Sequence, residues 1–282
     1  MVAFFCSFEI MINPIGVFDS GYGGLTVLNE IRKQLPQYDY IYLGDNARAP
    51  YGNRSFDVVY EFTLEAVKFL FEQGCPLVIL ACNTASAKAL RTIQQNDLPL
   101  IDSFKRVLGV IRPSTEEIKS LTNSNHVGIL GTNGTIQSGS YIIELRKFAP
   151  EIHIVQHACP MWVPLIENNS HKSKAGKMFI KEDVEHLIGM DDLIDTIILA
   201  CTHYPILQDY IQELVGPKIK VIAQGPIVAE KLENYLVVHP EMEKVLSKNG
   251  SCQYLTTENT AIFNQNARQF LNQEIESKHV LI

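Results

Sequence analysis

The tetrapeptide Ile-Leu-Ala-Cys occurs twice in this chain of 282 residues, at residues 79–82 and again at residues 198–201. Each copy ends an apolar run rich in β-branched residues, which is typical of a strand buried on both faces of a parallel sheet. Open α/β sheets bind their ligands in the crevice beyond the carboxyl ends of such strands. The repeat therefore predicts two similar α/β units, each presenting a thiol at its ligand-binding edge.

A second pair of matching segments lies upstream of the two cysteines. Residues 15–21 and 127–133 each read as an apolar strand that ends in a turn with small, hydroxylated residues. The order of strand-turn and strand-Cys is thus the same in both halves of the chain. We infer that one supersecondary plan is used twice.

Strand-like runs alternate with helix-like segments, which predicts right-handed βαβ units and mainly parallel sheets. The first set of strands is predicted at residues 15–18, 40–43, 77–81 and 98–101, and its helices at 25–34, 56–72 and 85–95. The second set has strands near 126–130, 152–156 and 196–200, and helices near 138–148, 181–190 and 206–214. A strand at 219–223, a helix near 227–235, a weak strand at 252–256 and a helix at 260–273 follow.

The predicted fold class is therefore α/β, with two pseudo-symmetric lobes, each a mainly parallel sheet flanked by helices. The predicted first lobe comprises residues 13–107 plus 216–282, and the second comprises residues 108–215. We expect the active site in the cleft between them. Residues 1–12 precede the first predicted strand and lack the charged start and cleavage site of a signal peptide, so they are predicted to be an N-terminal extension, with an ordered N-terminal strand as the alternative.

Composition narrows the classes of function. A hydrophobic content of 46% with 20% charged residues is typical of a globular enzyme. The net charge of −7, without a basic cluster, argues against nucleic acid or an anionic membrane as a partner. The six cysteines form no C-x-x-C pair, so we expect free thiols in a reducing cytoplasm.

The two repeated cysteines are the main candidates for chemistry. A single cysteine at a strand end is more often a small core residue. Cys82 and Cys201 form a matched pair, however, and polar side chains follow each of them. Asn83, Thr84 and Thr202 can hydrogen-bond a ligand, and His203 can exchange protons or hold charge beside Cys201.

Three loops and one glutamate are weaker candidates. The glycine-rich loop after Asp19 resembles a phosphate loop, but the Asp19 carboxylate would repel phosphate and better suits an ammonium group or a thiol. Ser20 could instead cap the following helix. Residues 43–52 read as an ordinary βα turn, and residues 131–135 could hold a carboxylate. Glu167 follows an apolar stretch, where most glutamates are solvated.

A zinc site is disfavoured by the spacing of the candidate ligands. His157 and Cys159, and likewise Cys201 and His203, are close neighbours in sequence, but the two pairs are far apart. No metal site is therefore predicted. The other histidines are interpreted as surface residues or satisfied core residues.

Four motifs taken together resemble the signature of the glutamate racemase family. They are DSGYGGLTV from Asp19, GDNARAPYG from Gly44, ACNTAS from Ala81 and CTHYP from Cys201, in the family's order. The resemblance implies an isomerase without cofactor that interconverts L-glutamate and D-glutamate, the D-form serving bacterial peptidoglycan synthesis, cell-wall biogenesis and cell shape. It also suggests a homodimer.

The resemblance also implies a role for individual residues. Cys82 would be the thiol that takes the α-proton from D-glutamate, and Cys201 the thiol that takes it from L-glutamate. Asp19 and His203 would assist the thiols, and Glu167 matches the acidic residue after the family's Val-Pro-Leu segment. The positions that match amino-acid-binding residues are Asp19, Ser20, Tyr51, Gly52, Asn83, Thr84, Thr132, Thr135, Thr202 and His203.

Two positions depart from the family pattern. Gly134 stands where the family usually has Ala, and Ala200 stands where Gly commonly precedes the second Cys. Neither departure removes a reactive group.

The chemistry explains why a repeated thiol is informative. Inverting a stereocentre by proton transfer requires one base on each face of the same carbon, and two lobes that share a cleft can provide both. Three alternatives remain open. They are a racemase of aspartate or another acidic amino acid, a dithiol redox protein with a Cys82–Cys201 disulfide, and a bilobed amino-acid-binding protein without catalysis.

Overall fold

A computed structural model describes residues 13–282, so the predicted N-terminal extension lies outside the described residues. The described chain forms two parallel sheets. Their strands are β1 Ile15–Asp19, β2 Tyr40–Gly44, β3 Leu77–Leu80, β4 Arg106–Gly109, β5 His126–Gly131, β6 His153–Ala158, β7 Thr196–Ala200, β8 Lys220–Ala223, β9 Cys252–Thr256 and β10 Ser277–His279. The first sheet has the order β10-β9-β2-β1-β3-β4, and the second has the order β6-β5-β7-β8.

Helices connect the strands and cover the sheets. They are α1 Gly24–Gln34, α2 Phe56–Glu72, α3 Asn83–Lys88, α4 Leu90–Thr92, α5 Leu98–Ile101, α6 Ile111–Leu121, α7 Asn133–Gln137, α8 Ser140–Phe148, α9 Trp162–Glu167, α10 Lys174–Met190, α11 Gln208–Val215, α12 Gly225–Val238, α13 Pro240–Glu243 and α14 Thr260–Leu271. Short 3-10 helices lie at Asn46–Arg48, Ser170–Lys172 and Tyr204–Leu207, and Ile93–Asp97 is a π-helical turn. Among residues 13–282, we find no helix with the length and apolar character needed to cross a bilayer.

The central strands show why the apolar runs become strands. Every residue of β1, β3 and β7 is buried, because helices cover both faces of each sheet. The pairings are parallel, with Val17 opposite Ile79 in the first sheet and Ile129 opposite Ile198 in the second. The predicted α/β class with two parallel sheets is confirmed.

One predicted strand is wrong. Residues 98–101 form α5, and the strand that completes this edge of the first sheet is β4, which pairs with β3. Pro99 lies in the first turn of α5, where the missing N–H costs no intrahelical hydrogen bond. Leu100 is 87% exposed, so this apolar segment is not buried as a central strand would be. A proline within an apolar run argues against a central strand.

Two helical regions also differ from the prediction. The helix predicted at residues 85–95 is divided into α3, α4 and the π-helical turn. Helix α6 has no counterpart among the predicted elements. Its buried apolar positions within the helix are limited to Ile111 and Ile118, which is too few to produce a clear helical period.

The predicted lobe boundaries need two corrections. The prediction places Lys220–Ala223 in the first lobe, but as β8 this segment pairs with β7 in the second sheet. The boundary after residue 107 falls inside β4, which belongs to the first sheet. The chain therefore returns to the first sheet after β8, and not at the Gly216-Pro217 turn. The end of the second sheet is determined by the pairing of β8 with β7.

A buried polar network joins the two sheets at this return. The Asn83 amide donates to Gln224 Oε1 over 2.7 Å, and Tyr141 donates from its hydroxyl to Asn83 Oδ1 over 2.8 Å. Gln224 Nε2 lies 2.7 Å from the hydroxyl oxygens of both Ser114 and Tyr141. Gln224 is only 4% exposed, so each of these groups depends on the others for its hydrogen bonds.

We expect Gln224→Ala to destabilise the protein by about 3 kcal/mol, because it leaves buried donors and acceptors on Asn83 and Tyr141 unpaired. Urea unfolding followed by circular dichroism measures this change. Gln265→Ala, at an exposed position on α14, is the matched control and should change the free energy of unfolding by less than about 0.5 kcal/mol. Equal stabilities of the two variants would contradict the role given to the network.

Candidate active site

Both repeated cysteines border one cleft between the two sheets. The cleft encloses about 60 Å³. Its lining contains most of the predicted site residues, namely Ser20, Tyr51, Gly52, Cys82, Asn83, Thr84, Thr132, Glu167, Cys201, Thr202 and His203. These residues follow the carboxyl ends of β1, β2, β3, β5 and β7 or lie on α9, so the site is at the edge expected for a parallel α/β protein.

Cys82 follows β3 and caps α3. Its Sγ accepts from the Ala85 N–H over 3.5 Å and donates to Ser20 Oγ over 3.4 Å. Burial, together with the negative charge of Asp19, raises the pKa of the Cys82 thiol to about 12. Cys82 is therefore a thiol at neutral pH.

Cys201 follows β7 and has a different neighbour, the imidazole of His203. His203 Nε2 lies 2.9 Å from Glu167 Oε1, and the histidine is 5% exposed. Burial disfavours the imidazolium, but hydrogen bonds and charge interactions with Cys201 and Glu167 outweigh it and raise the pKa of His203 to about 10. The second thiol is thus adjacent to a cation at neutral pH.

Asp19 lies behind the lining of the cleft, fully buried at the end of β1. Its carboxylate accepts from the Gly21 N–H over 3.0 Å and from the Thr202 hydroxyl over 3.3 Å. Burial raises the pKa of Asp19, although the positive charge of His203 and these hydrogen bonds oppose the increase. Asp19 therefore contacts Thr202, in the segment that follows β7, as well as its own loop.

Gly23 permits this close approach of the two loops. A Cβ at Gly23 would lie 2.3 Å from Thr202 Oγ1 and 2.4 Å from His203 Nδ1. Both distances are far below van der Waals contact. The glycine-rich turn is therefore needed to let Thr202 and His203 pack against the first lobe.

Three threonine hydroxyls meet at the cleft, where Thr84 and Thr132 line it. Thr84 Oγ1 is 2.9 Å from Thr132 Oγ1 and 3.4 Å from Thr135 Oγ1, and the last two are 3.1 Å apart. Thr135 is fully buried and lies behind the lining, like Asp19. The three hydroxyls can each donate or accept, so they can reorient toward an anionic group.

Tyr51 is fixed by a residue that the sequence interpretation did not include. Its hydroxyl donates to Asp45 Oδ2 over 2.5 Å, and the same oxygen accepts from Arg48 Nε over 2.7 Å. The other carboxylate oxygen of Asp45 accepts from the Thr257 hydroxyl over 2.9 Å. Asp45 lies in the same motif as Tyr51, but the motif alone does not reveal this contact.

The lobes also touch along the rim of the cleft. The Gly134 N–H donates to the Gly52 carbonyl over 2.7 Å, and a Cβ at Gly134 would lie 2.9 Å from that oxygen. The Asn133 amide donates to Asn53 Oδ1 over 2.9 Å. Both asparagines line the cleft next to predicted residues. Their hydrogen bond forms only because the two loops are brought together by the fold, so the sequence alone does not reveal it.

The ligands of the disfavoured zinc site do not share one centre. His157 and Cys159 lie close to Asp183, and the His157 Nε2 to Asp183 Oδ1 distance is 2.7 Å. Cys201 and His203 instead neighbour Glu167. All the cysteines in the described part of the chain are free, including Cys82 and Cys201.

The sequence matches a known protein family. The family model described as Asp/Glu/Hydantoin racemase matches residues 15–232. A glutamate racemase of Streptococcus agalactiae is 37% identical over 273 residues, which cover 95% of this chain and 98% of the relative.

Solved structures give the same result. The crystal structure of a glutamate racemase from Bacillus anthracis has a TM-score of 0.86 and 34% identity, covering 96% of this chain and 98% of that chain. A glutamate racemase from Francisella tularensis in complex with D-glutamate has a TM-score of 0.82 and 30% identity, covering 95% and 97% of the two chains. Since the family match includes both cysteine-bearing strands and the relatives align over nearly the whole chain, this protein belongs to the Asp/Glu/Hydantoin racemase family.

Proposed function

We propose that the protein interconverts L-glutamate and D-glutamate without a cofactor and supplies D-glutamate for peptidoglycan precursors. The observation that carries the proposal is the pair of thiols at the ends of equivalent strands, both lining one cleft. The relatives are named glutamate racemases, and one solved neighbour is described in complex with D-glutamate. The two-lobed site supports a base on each face of the α-carbon.

The starting protonation states follow from the surroundings of each sulfur. Cys82 holds its proton because burial and the Asp19 charge raise its pKa. Cys201 lies beside the His203 cation, a neighbour that Cys82 does not have. On this difference we assign Cys201 as the group that takes the proton from L-glutamate and Cys82 as the group that gives one.

The reaction of L-glutamate then proceeds in two proton transfers. The Cys201 thiolate takes the α-proton, and the electrons of the C–H bond remain on the α-carbon as a carbanion. Cys82 gives its proton to the opposite face, which yields D-glutamate and leaves Cys82 as the thiolate. The reverse reaction uses the same steps in the opposite order, with Asp19 and His203 relaying protons to restore the starting state.

The carbanion needs stabilisation from hydrogen-bond donors. We assign the Thr84 and Thr132 hydroxyls, with Thr135 behind them, to the substrate carboxylates, because these hydroxyls can donate to an anion instead of to each other. Ser20 and Thr202 are assigned to the opposite side of the substrate, and Tyr51, Gly52 and Asn83 to its positioning. The Asn83 side chain is already engaged by Gln224 and Tyr141, so its contribution is to maintain the shape of the loop.

We infer that the lobes separate to admit the substrate, because hydrogen bonds between the lobes cross the rim of a cleft of about 60 Å³. The contacts that would open are those on the rim, between Gly52 and Gly134 and between Asn53 and Asn133. The closed arrangement excludes water during the proton transfers.

The location and the assembly are also proposals. We infer a cytoplasmic enzyme, since free thiols at Cys82 and Cys201 are maintained in a reducing compartment. We expect a homodimer, as the family resemblance implies, with no nucleic acid or membrane partner and no metal required for catalysis.

Purified protein without added cofactor should bring L-glutamate and D-glutamate each to the racemic mixture, which circular dichroism detects as loss of the amino-acid signal. L-aspartate should react at least about tenfold more slowly, because the cleft must place both carboxylates of its shorter chain. Faster turnover of aspartate would make this protein a racemase for the shorter substrate. Inactivity with both would contradict the proposal.

Cys82→Ala and Cys201→Ala should each reduce the rate of racemisation by about 10²–10⁴-fold, because each removes the base on one face. The α-proton exchange in deuterated water, followed by NMR from each enantiomer, distinguishes the two thiols. Cys82→Ala should retain more exchange from L-glutamate, and Cys201→Ala more from D-glutamate. Cys252→Ala, on β9 outside the cleft, is the matched control and should keep full activity. Full racemisation by either cleft variant would refute the two-thiol scheme.

Glu167→Gln should lower the pKa of His203, because the imidazolium loses its carboxylate partner. We therefore expect the alkaline limb of the kcat profile for L-glutamate to move toward neutral pH by about one unit or more. Glu72→Gln, an exposed position on α2, should leave the profile unchanged. An unchanged limb in Glu167→Gln would contradict the assignment of His203 as the cation.

A further inference from the structure

Two histidines converge on one carboxylate at the amino ends of the second sheet. His126 begins β5 and His153 begins β6, and the parallel register places them opposite each other. Their Nδ1 atoms lie 2.7 Å and 2.9 Å from the same atom, Asp191 Oδ2. Paired positions in adjacent strands put their side chains on the same face, so the convergence is built into the strand register.

The carboxylate is oriented by the main chain around it. Asp191 follows the last residue of α10, and its other oxygen, Oδ1, accepts from the Leu193 N–H over 3.0 Å. Its side chain is 8% exposed. Because Oδ1 is held by the backbone, Oδ2 is the oxygen available to the two histidines.

The backbones of the histidines are fixed as well. The His126 N–H donates to the Ser124 hydroxyl over 3.0 Å, and the His153 N–H donates to the Asn125 carbonyl over 2.8 Å. The His153 side chain is 59% exposed, which leaves an approach from solvent. The three groups are thus preorganised and accessible at the same time.

Two imidazole nitrogens and one carboxylate oxygen form a ligand set that suits zinc and similar divalent ions. The three ligand atoms lie within 4.8 Å of one another. Tetrahedral coordination with bonds of about 2.0–2.1 Å separates ligand atoms by about 3.4 Å, so the Nδ1–Oδ2 distances of 2.7 Å and 2.9 Å would lengthen by about 0.5–0.7 Å. We propose that His126, His153 and Asp191 form a surface binding site for a divalent transition-metal ion of the zinc class, with water completing the coordination.

The other cluster of this kind in the described chain fits an ion less well. His157, Cys159 and Asp183 also lie within reach of one another, but Cys159 is only 1% exposed. Trp162 donates from Nε1 to Asp183 Oδ2 over 2.7 Å, and this carboxylate therefore already serves a buried ring. The exposed site has the better access, although the second cluster must be distinguished from it in any experiment.

The position of the proposed site predicts its effect. It joins the starts of β5 and β6 to the end of α10, so a bound ion would cross-link three segments of the second lobe. His126 is five residues before Gly131, which places it roughly 16 Å from the cleft edge of the sheet. An ion there should stabilise the fold without taking part in the proposed proton transfers.

The test is a titration of the full-length protein with Co²⁺ followed by its visible absorption, together with thermal unfolding in the presence and absence of Zn²⁺. We expect a Co²⁺ spectrum of nitrogen and oxygen ligands, without a thiolate charge-transfer band, and a higher Tm with Zn²⁺. His153→Gln should weaken the affinity for Co²⁺ by at least about tenfold and abolish the Tm increase. Racemase activity without metal should be unchanged in this variant.

His239→Ala is the matched control, because His239 also contacts a carboxylate, Glu241, at 3.0 Å. It should bind Co²⁺ as the unaltered protein does. A thiolate charge-transfer band that persists in His153→Gln, with unchanged affinity, would assign the ion to cysteines and overturn the proposal. Absence of Co²⁺ binding to the unaltered protein, or equal binding in His153→Gln, would also overturn it.

Discussion

The cleft depends on the way β3 and β7 end. Both strands are buried throughout, so their last residues cannot shift without disturbing the packing of a whole sheet. The backbone groups released at each end must find new partners. Cys82 meets this need by capping α3 with its sulfur, whereas Cys201 leads into the 3-10 helix Tyr204–Leu207. The position of each thiol is thus determined by the helix that follows its strand: α3 for Cys82 and the 3-10 helix Tyr204–Leu207 for Cys201.

The two halves are alike in position but differ in charge. Burial, and after it the Asp19 carboxyl, raises the pKa of Cys82, whereas Cys201 lies beside His203, which is paired with Glu167. This asymmetry is consistent with a reaction in which one sulfur takes a proton while the other gives one. A pair of identical surroundings would hold both sulfurs in the same state, and proton transfer across the carbon would then need an additional step.

The sequence could predict elements whose signal is local. Apolar runs were sufficient to predict the central strands. The predicted bounds of α2 match those observed; Ser55 caps this helix, and its apolar face is regular. The strand predicted at residues 98–101 is wrong because this apolar segment is not fully buried. The predicted lobe of β8 is wrong because its pairing with β7 is a tertiary contact, which the local sequence does not reveal. The four motifs predicted residues most of which the fold places around one cleft, but they did not predict the individual contacts.

The sequence by itself therefore determined the α/β class, the two thiols and the loops around them, since strand burial and turn chemistry depend on residues close together in the chain. Only the tertiary structure decided which groups meet. Asp45 holds Tyr51 within one motif, while Gln224 reaches Asn83 from 141 residues away. The convergence of His126 and His153 on Asp191 likewise has no spacing pattern. Hydrogen-bond and ligand partners are chosen by the packing of distant segments, and that packing is a property of the whole fold.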